Sequence, residues 1–236
     1  MKGATMSAVL LADIADAPIG LEDCGEPLVD LRTLPRAIVD ESRSQISSRS
    51  ECFCWAREGV AGRLAAAARR LPAGYSLCIK EAYRPPERQR LSFERCLAKY
   101  REAHPGLSAP ELKRLVSQYV APLEVAGHPT GGAVDVTLWK EGRELWMGTE
   151  FNAEPEDTGN RTWMDSPDID DEATVNRAVL ASALGGAGFV NYPPEWWHWS
   201  FGDKYWAFLS GRPAIYGLLA EPSAESRAAL SHESRS

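Results

Sequence analysis

"YPPEWWHWSFGDKYW" runs from Tyr192 to Trp206 and sets four of the chain's eight tryptophans around Glu195 and His198. So much indole in so short a segment is either core or a wall around something reactive. Pro193-Pro194 bars a helix from continuing through, and the aromatic run that follows favours a strand from Trp196 to Phe201. Side chains alternate along a strand, so Glu195 and His198 would nominally face opposite ways. For both to reach one point, Glu195 has to sit in the bend entering the strand.

Working outward, the 236-residue chain is long enough for one sizeable domain. With 44% hydrophobic and 25% charged residues it has the composition of a globular protein. A net charge of −7 and a pI near 5.2 argue against nucleic acid or an anionic membrane as partner. No apolar run has the length of a membrane span. At the N-terminus, Lys2 precedes an apolar patch, Ala8 to Ala12, that is short and broken by Asp13 and Asp16, a poor signal peptide. Five cysteines (Cys24, Cys52, Cys54, Cys78 and Cys96) make no disulfide framework and read as reduced thiols in a cytoplasmic protein. Nothing in the sequence specifies an oligomer.

Residues 1–50 read as irregular, with a polar run from Ser42 to Ser50. A helical pattern follows from Glu51 to Leu71, with Val60, Leu64, Ala67, Ala68 and Leu71 on one face. Tyr75 to Lys80 alternates as a strand. Pro85-Pro86 opens a second helix with Leu91, Phe93, Cys96, Leu97 and Tyr100 as its apolar positions, and Ser108-Ala109-Pro110-Glu111 is a capping box for a third, through Tyr119. Ala133 to Trp139 alternates again, with Val134, Val136 and Leu138 opposite Asp135, Thr137 and Trp139, and Glu141-Gly142 turns into a returning strand, Arg143 to Met147. Asn152 to Asp171 reads as an acidic surface loop or lid, Glu172 to Ala187 as a helix, Phe189 to Tyr192 as a strand, and residues 222–236 as a flexible tail. Helices and antiparallel hairpins interleave without strict strand–helix alternation, so the class is α+β.

Of four histidines, His232 lies in the tail and His104 in a turn beside Pro105-Gly106. His128 opens "GHPTGGAVDV", whose proline and glycines predict a tight loop able to pass close to a ligand. Seven residues on, Asp135 sits among core-facing valines, where an unpaired carboxylate is very costly. A zinc ion held by His128, Asp135 and His198 would satisfy it and leave a fourth position open, the arrangement of a catalytic site. Glu195 beside it could act as general base. Spacing alone leaves other readings open: a hydrogen-bonded core histidine, an Asp135–arginine pair, or a two-His-one-carboxylate iron site, although the last usually spaces its first two ligands more closely.

"EAYRPP", "GHPTGGAVDV" and "EWWHWS", in that order, resemble the zinc D-alanyl-D-alanine dipeptidases and the wider D,D-peptidases. The likeness spans about Leu71 to Ala207 and includes "MGTEFN". It implies a central antiparallel sheet with flanking helices, a fold shared with the hedgehog signalling domain, and one zinc per chain on His128, Asp135 and His198. It further implies that Glu195 is the base and that Arg84 steadies the carbonyl oxygen as it gains charge. Tyr83, Ala126, Asn152 and Trp197 fall at substrate-binding positions. Two of these depart from the family: Ala126 stands where a serine helps hold the substrate carboxylate, and Asn152 where an aspartate is associated with holding the free ammonium. The expected substrate is a small peptide, D-Ala-D-Ala or a related dipeptide of cell-wall origin. A D,D-carboxypeptidase or amidase acting on a cell-wall or secondary-metabolite peptide is the alternative, and a non-catalytic zinc module a third reading.

Overall fold

The structure, a computed structural model, describes residues 8–42, 50–223 and 225. Most of the polar run from Ser42 to Ser50, most of the 222–236 tail, and His232 lie outside the described residues. In chain order the strands are β1 (Leu28–Asp30), β2 (Ala37–Val39), β3 (Trp55–Arg57), β4 (Tyr75–Glu81), β5 (Ala133–Lys140), β6 (Arg143–Glu144), β7 (Val190–Asn191) and β8 (His198–Ser200). The helices are α1 (Glu58–Arg70), α2 (Pro86–Ala103), α3 (Ala109–Val116), α4 (Asp171–Gly185) and α5 (Lys204–Ser210).

One sheet, in the order β2-β4-β5-β8-β7 with β6 also on β5, organises the molecule. Its pairs are antiparallel except β2 with β4, which is parallel. The chain is therefore α+β with a largely antiparallel central sheet and flanking helices. Val134, Val136 and Leu138 of β5 are fully buried on the core face, as their alternation predicts. They meet Val60, Leu64, Ala67 and Ala68 of α1, Leu180 and Leu184 of α4, and the indoles of Trp196, Trp197, Trp199 and Trp206 in one continuous core. Asp135 faces the other way, under the His128 loop and the short turn Leu11–Ile14.

Several sequence expectations shift. The first fifty residues are not wholly irregular: β1 pairs with β3, and β2 forms the edge of the main sheet. The first helix begins at Glu58 rather than Glu51, because Trp55, Ala56 and Arg57 are all buried as strand residues against β1. The third helix stops at Val116, although its capping box forms, with Ser108 N–H donating to Glu111 Oε2 at 2.9 Å. The strand after Glu141-Gly142 lasts only Arg143–Glu144, and that predicted over Trp196–Phe201 only His198–Ser200. On α2 only Gln89 and Tyr100 are buried and Leu91 is exposed, while Phe93, Cys96 and Leu97 are partly buried against Tyr100 and against Leu112 and Val116 of α3.

The segment from Asn152 has neither helix nor strand until α4 begins at Asp171, but it is not loose. Buried Arg177 of α4 donates from Nε and both terminal nitrogens to the carbonyls of Met147, Trp163 and Arg161 at 2.6–2.7 Å, fastening the loop from beneath.

Candidate active site

β5 and β8 set the centre of the site. Their register places Asp135 opposite His198 and Val134 opposite Trp199. A slip of one residue would take Trp199 off the core face, costing on the order of 2–3 kcal/mol for that side chain alone. Burial of the indole thus fixes which residue stands opposite Asp135, and His198 Nδ1 lies 3.0 Å from Asp135 Oδ1. His128 arrives from a 3-10 turn just before β5, with Nε2 3.3 Å from the same oxygen. Its Nδ1–H donates to the Ala82 carbonyl at 2.7 Å, which leaves the Nε2 lone pair facing Asp135.

The glycines of this loop serve packing against protein rather than approach to a ligand. Gly131 has φ +70°, and a Cβ there would meet Leu28; one on Gly132 would lie 2.8 Å from the Phe201 carbonyl oxygen. Buried Arg57, absent from the sequence reading, holds the loop by donating from Nε to the Thr130 carbonyl at 2.9 Å.

Glu195 does sit in a bend. Its N–H donates to the Tyr192 carbonyl and its carbonyl accepts from His198 N–H, two successive turns before β8. Asn191 braces them, its side-chain amide donating to the carbonyls of Glu195 and His198 at 3.1 and 3.0 Å. The Glu195 carboxylate thereby lies 3.9 Å from His198 Nδ1, on the same side as Asp135.

Arg84 lines the same cavity. It is also ion-paired with Glu81, and the pairing and its place at the cavity coexist. Nε and a terminal nitrogen reach the two Glu81 oxygens at 3.1 and 2.5 Å, and the other terminal nitrogen donates to Gln89 Oε1 at 2.9 Å. Glu81 is 1% exposed and stands opposite Asp135 across β4 and β5. It is a functional candidate that the motifs did not single out, although "EAYRPP" contains it.

Electrostatics divides the carboxylates. Burial works against the charge of Asp135, but His128 and His198 outweigh it and hold the carboxyl well below the usual range. Burial, then the Asp135 charge, pushes Glu195 well above its ordinary value, against the pull of Arg84. Burial lowers His128 while the Asp135 charge raises it, and the rise wins. One carboxylate stays ionised as a ligand would, and its neighbour favours holding a proton.

His128, Asp135 and His198 are the one group of three potential metal ligands among the described residues, with donor atoms within 4.8 Å of one another. Tetrahedral bonds of about 2.0–2.2 Å would put neighbouring donors roughly 3.4 Å apart. The observed 3.0 and 3.3 Å to Asp135 suit such an ion with little movement. Two imidazoles and a carboxylate are donors for a first-row divalent metal rather than magnesium or calcium.

Of the other candidates, Ala126, Asn152 and Trp197 line the cavity. Tyr83 does not: it is fully buried, with its hydroxyl donating to the Leu219 carbonyl at 2.9 Å, so the structure does not bring it to the cavity with the others. Trp197 alone of the four clustered indoles borders the cavity; the others belong to the core behind it. His104 is half-exposed beside Glu156, away from the cluster.

The family model described as D-ala-D-ala dipeptidase matches residues 37–211. A D-alanyl-D-alanine dipeptidase of Synechocystis is 28% identical over 80% of this chain and 87% of that one. The Escherichia coli D-alanyl-D-alanine dipeptidase is 32% identical over 63% of this chain and 62% of its own. A solved VanY D,D-pentapeptidase in complex with Zn(II) is 19% identical, with a TM-score of 0.32 over 62% of this chain and 72% of that one, too slight a likeness to build on. The matched region holds the sheet and every residue of the cluster, and the chain belongs to the D-ala-D-ala dipeptidase family and is a metallopeptidase.

Proposed function

We propose that this metallopeptidase binds one zinc ion on His128, Asp135 and His198 and hydrolyses the peptide bond of D-alanyl-D-alanine or a related small D,D-peptide. The observation that carries the reading is the convergence of two imidazoles on one buried, ionised carboxylate, with a second carboxylate of raised pKa, Glu195, 3.9 Å from His198 Nδ1. Zinc bound there supplies Lewis acidity, polarising the substrate carbonyl and bringing the pKa of water down to about 7. A cation there would offset the Asp135 charge that, after burial, raises Glu195, and so would favour its ionised form.

Glu195 takes a proton from the attacking water as its oxygen bonds to the carbonyl carbon. Arg84, kept charged and oriented by Glu81, faces the carbonyl oxygen as negative charge gathers there. Glu195 then gives its proton to the amine nitrogen as the carbon–nitrogen bond breaks, so one carboxylate serves both halves of the reaction. Trp197 and Leu11, which line the cavity, limit water around these groups.

The second reading, a D,D-carboxypeptidase or amidase, is favoured by Ala126 and Asn152, which offer neither hydroxyl nor negative charge to the ends of a free dipeptide. A lost hydrogen bond to a charged group costs about 1.5–3 kcal/mol, or roughly ten- to a hundredfold in affinity. A cell-wall-derived peptide met in the cytoplasm suits five cysteines of which none is in a disulfide. The test is amine release from D,D-, L,D- and L,L-dipeptides, free and N-blocked, by zinc-loaded protein. D,D cleavage is expected, and cleavage confined to L,L-peptides would overturn the reading.

A further inference from the structure

The cavity beside the three ligands is narrow, about 40 Å3. It continues past Asn152, Glu195 and Trp197 into a second chamber of about 330 Å3, between α2 and the 152–155 loop. Ala126 borders the first space but not the second. Since Asn152 occupies the position that the resemblance assigns to the substrate's amino end, the chamber extends from that end. A neutral amide there gives a free ammonium no ionic partner, while the space beyond accommodates an acyl or peptidyl group on the nitrogen.

The chamber wall carries charge. Arg95 and Lys99 stand one helical turn apart on the same face of α2. Lys99 is matched by Glu154 at 2.7 Å. Arg95 is exposed and, among the described residues, has no carboxylate within ion-pair distance; its neighbour Glu94 is taken by Arg90. The remaining nucleophile in the wall, Cys96, has a thiol pushed up to about 11 by burial and by Glu154, so the chamber is built to bind rather than react. With Glu154 taken by Lys99, the unmatched Arg95 guanidinium at the lip of the chamber offers an anionic occupant a local partner, against the overall field of a protein of net charge −7.

We propose that the preferred substrate carries, on its amino side, an acyl or peptidyl extension with a carboxylate, that this extension lies in the second chamber, and that Arg95 is the specificity-determining residue for it. The inference rests on the hydrolytic reading above.

The experiment compares D-alanine release from D-Ala-D-Ala, N-acetyl-D-Ala-D-Ala and N-succinyl-D-Ala-D-Ala by the zinc-loaded full chain. The succinyl peptide should exceed the acetyl peptide in kcat/KM by about three- to tenfold, the range of a partly exposed ion pair, and both should exceed the free dipeptide. Arg95→Glu should abolish or invert the succinyl-to-acetyl ratio, chiefly through KM, and Arg95→Lys should largely keep it. Arg101→Glu, on the same helix but outside the chamber, should leave the ratio alone. Equal rates for the two acyl peptides, a ratio indifferent to Arg95→Glu, or a preference for the free dipeptide would overturn this inference while leaving D,D hydrolysis intact. Absence of D-alanine release from all three would overturn the hydrolytic reading and this inference together.

Discussion

Asp135 and His198 face each other across β5 and β8, and a single oxygen of Asp135 lies within 3.3 Å of both His198 and His128. Cross-strand register brings residues 63 positions apart to one point, so the cluster exists only in the folded sheet.

Metal content should follow that geometry. His128→Ala removes one of three donors and should lower zinc well below one per chain after dialysis, whereas His104→Ala should leave it unchanged. Elemental analysis of the two variants beside the wild type decides it. Iron in place of zinc, with turnover needing a 2-oxo acid, would point instead to the oxygenase arrangement of the same ligand types.

Glu81 holds one edge of the Arg84 guanidinium through two hydrogen bonds. Glu81→Gln keeps the size but removes the charge, so the guanidinium should lose its fixed aim. A fall in kcat/KM of roughly ten- to a hundredfold is expected, with zinc content unchanged. Loss of zinc in parallel would mean that Glu81 acts on the cluster rather than on Arg84.

The metal-free protein should lose stability as pH rises toward neutrality. His128 and Glu195 both have raised folded pKa values. Their contributions are complete below the ordinary values of 6.5 and 4.5 and are lost as pH climbs through the raised ones. Asp135 works the other way: its contribution is complete above 3.8 and is lost as pH falls through the lowered value. Zinc competes with the proton on His128, so its stabilisation should grow with pH. Melting of the zinc-loaded and metal-free proteins at pH 5 and pH 8 measures this. A gap in Tm no larger at pH 8 than at pH 5 would contradict the account.

Much of this was legible beforehand, for physical reasons. Alternation along Ala133–Trp139 exposed the core face of β5, and the scarcity of histidines narrowed the candidate ligands to His128 and His198, which the fold brings together. Pro193-Pro194 marked the bend that carries Glu195. The sequence was silent where long-range partners decide. Arg57 and Arg177 look like surface residues until their carbonyl acceptors, distant in the chain, come into place. Trp55–Arg57 reads as helix because its partner strand, β1, has three residues and almost no pattern of its own. Tyr83 sits one position from Arg84, and only the packing against Leu28, Cys52 and Phe53 turns it away from the cavity.

The central claim, that Glu195 moves the protons of a zinc-dependent hydrolysis, meets its most direct test in Glu195→Gln, with zinc content and D-alanine release measured on the same sample. The substitution keeps size and hydrogen bonding but cannot accept the proton. The account predicts about one zinc per chain, as in the wild type, and release slowed by roughly a hundred- to ten-thousand-fold. Near-wild-type release from the zinc-loaded variant would contradict it, since another group would then be taking the proton from water.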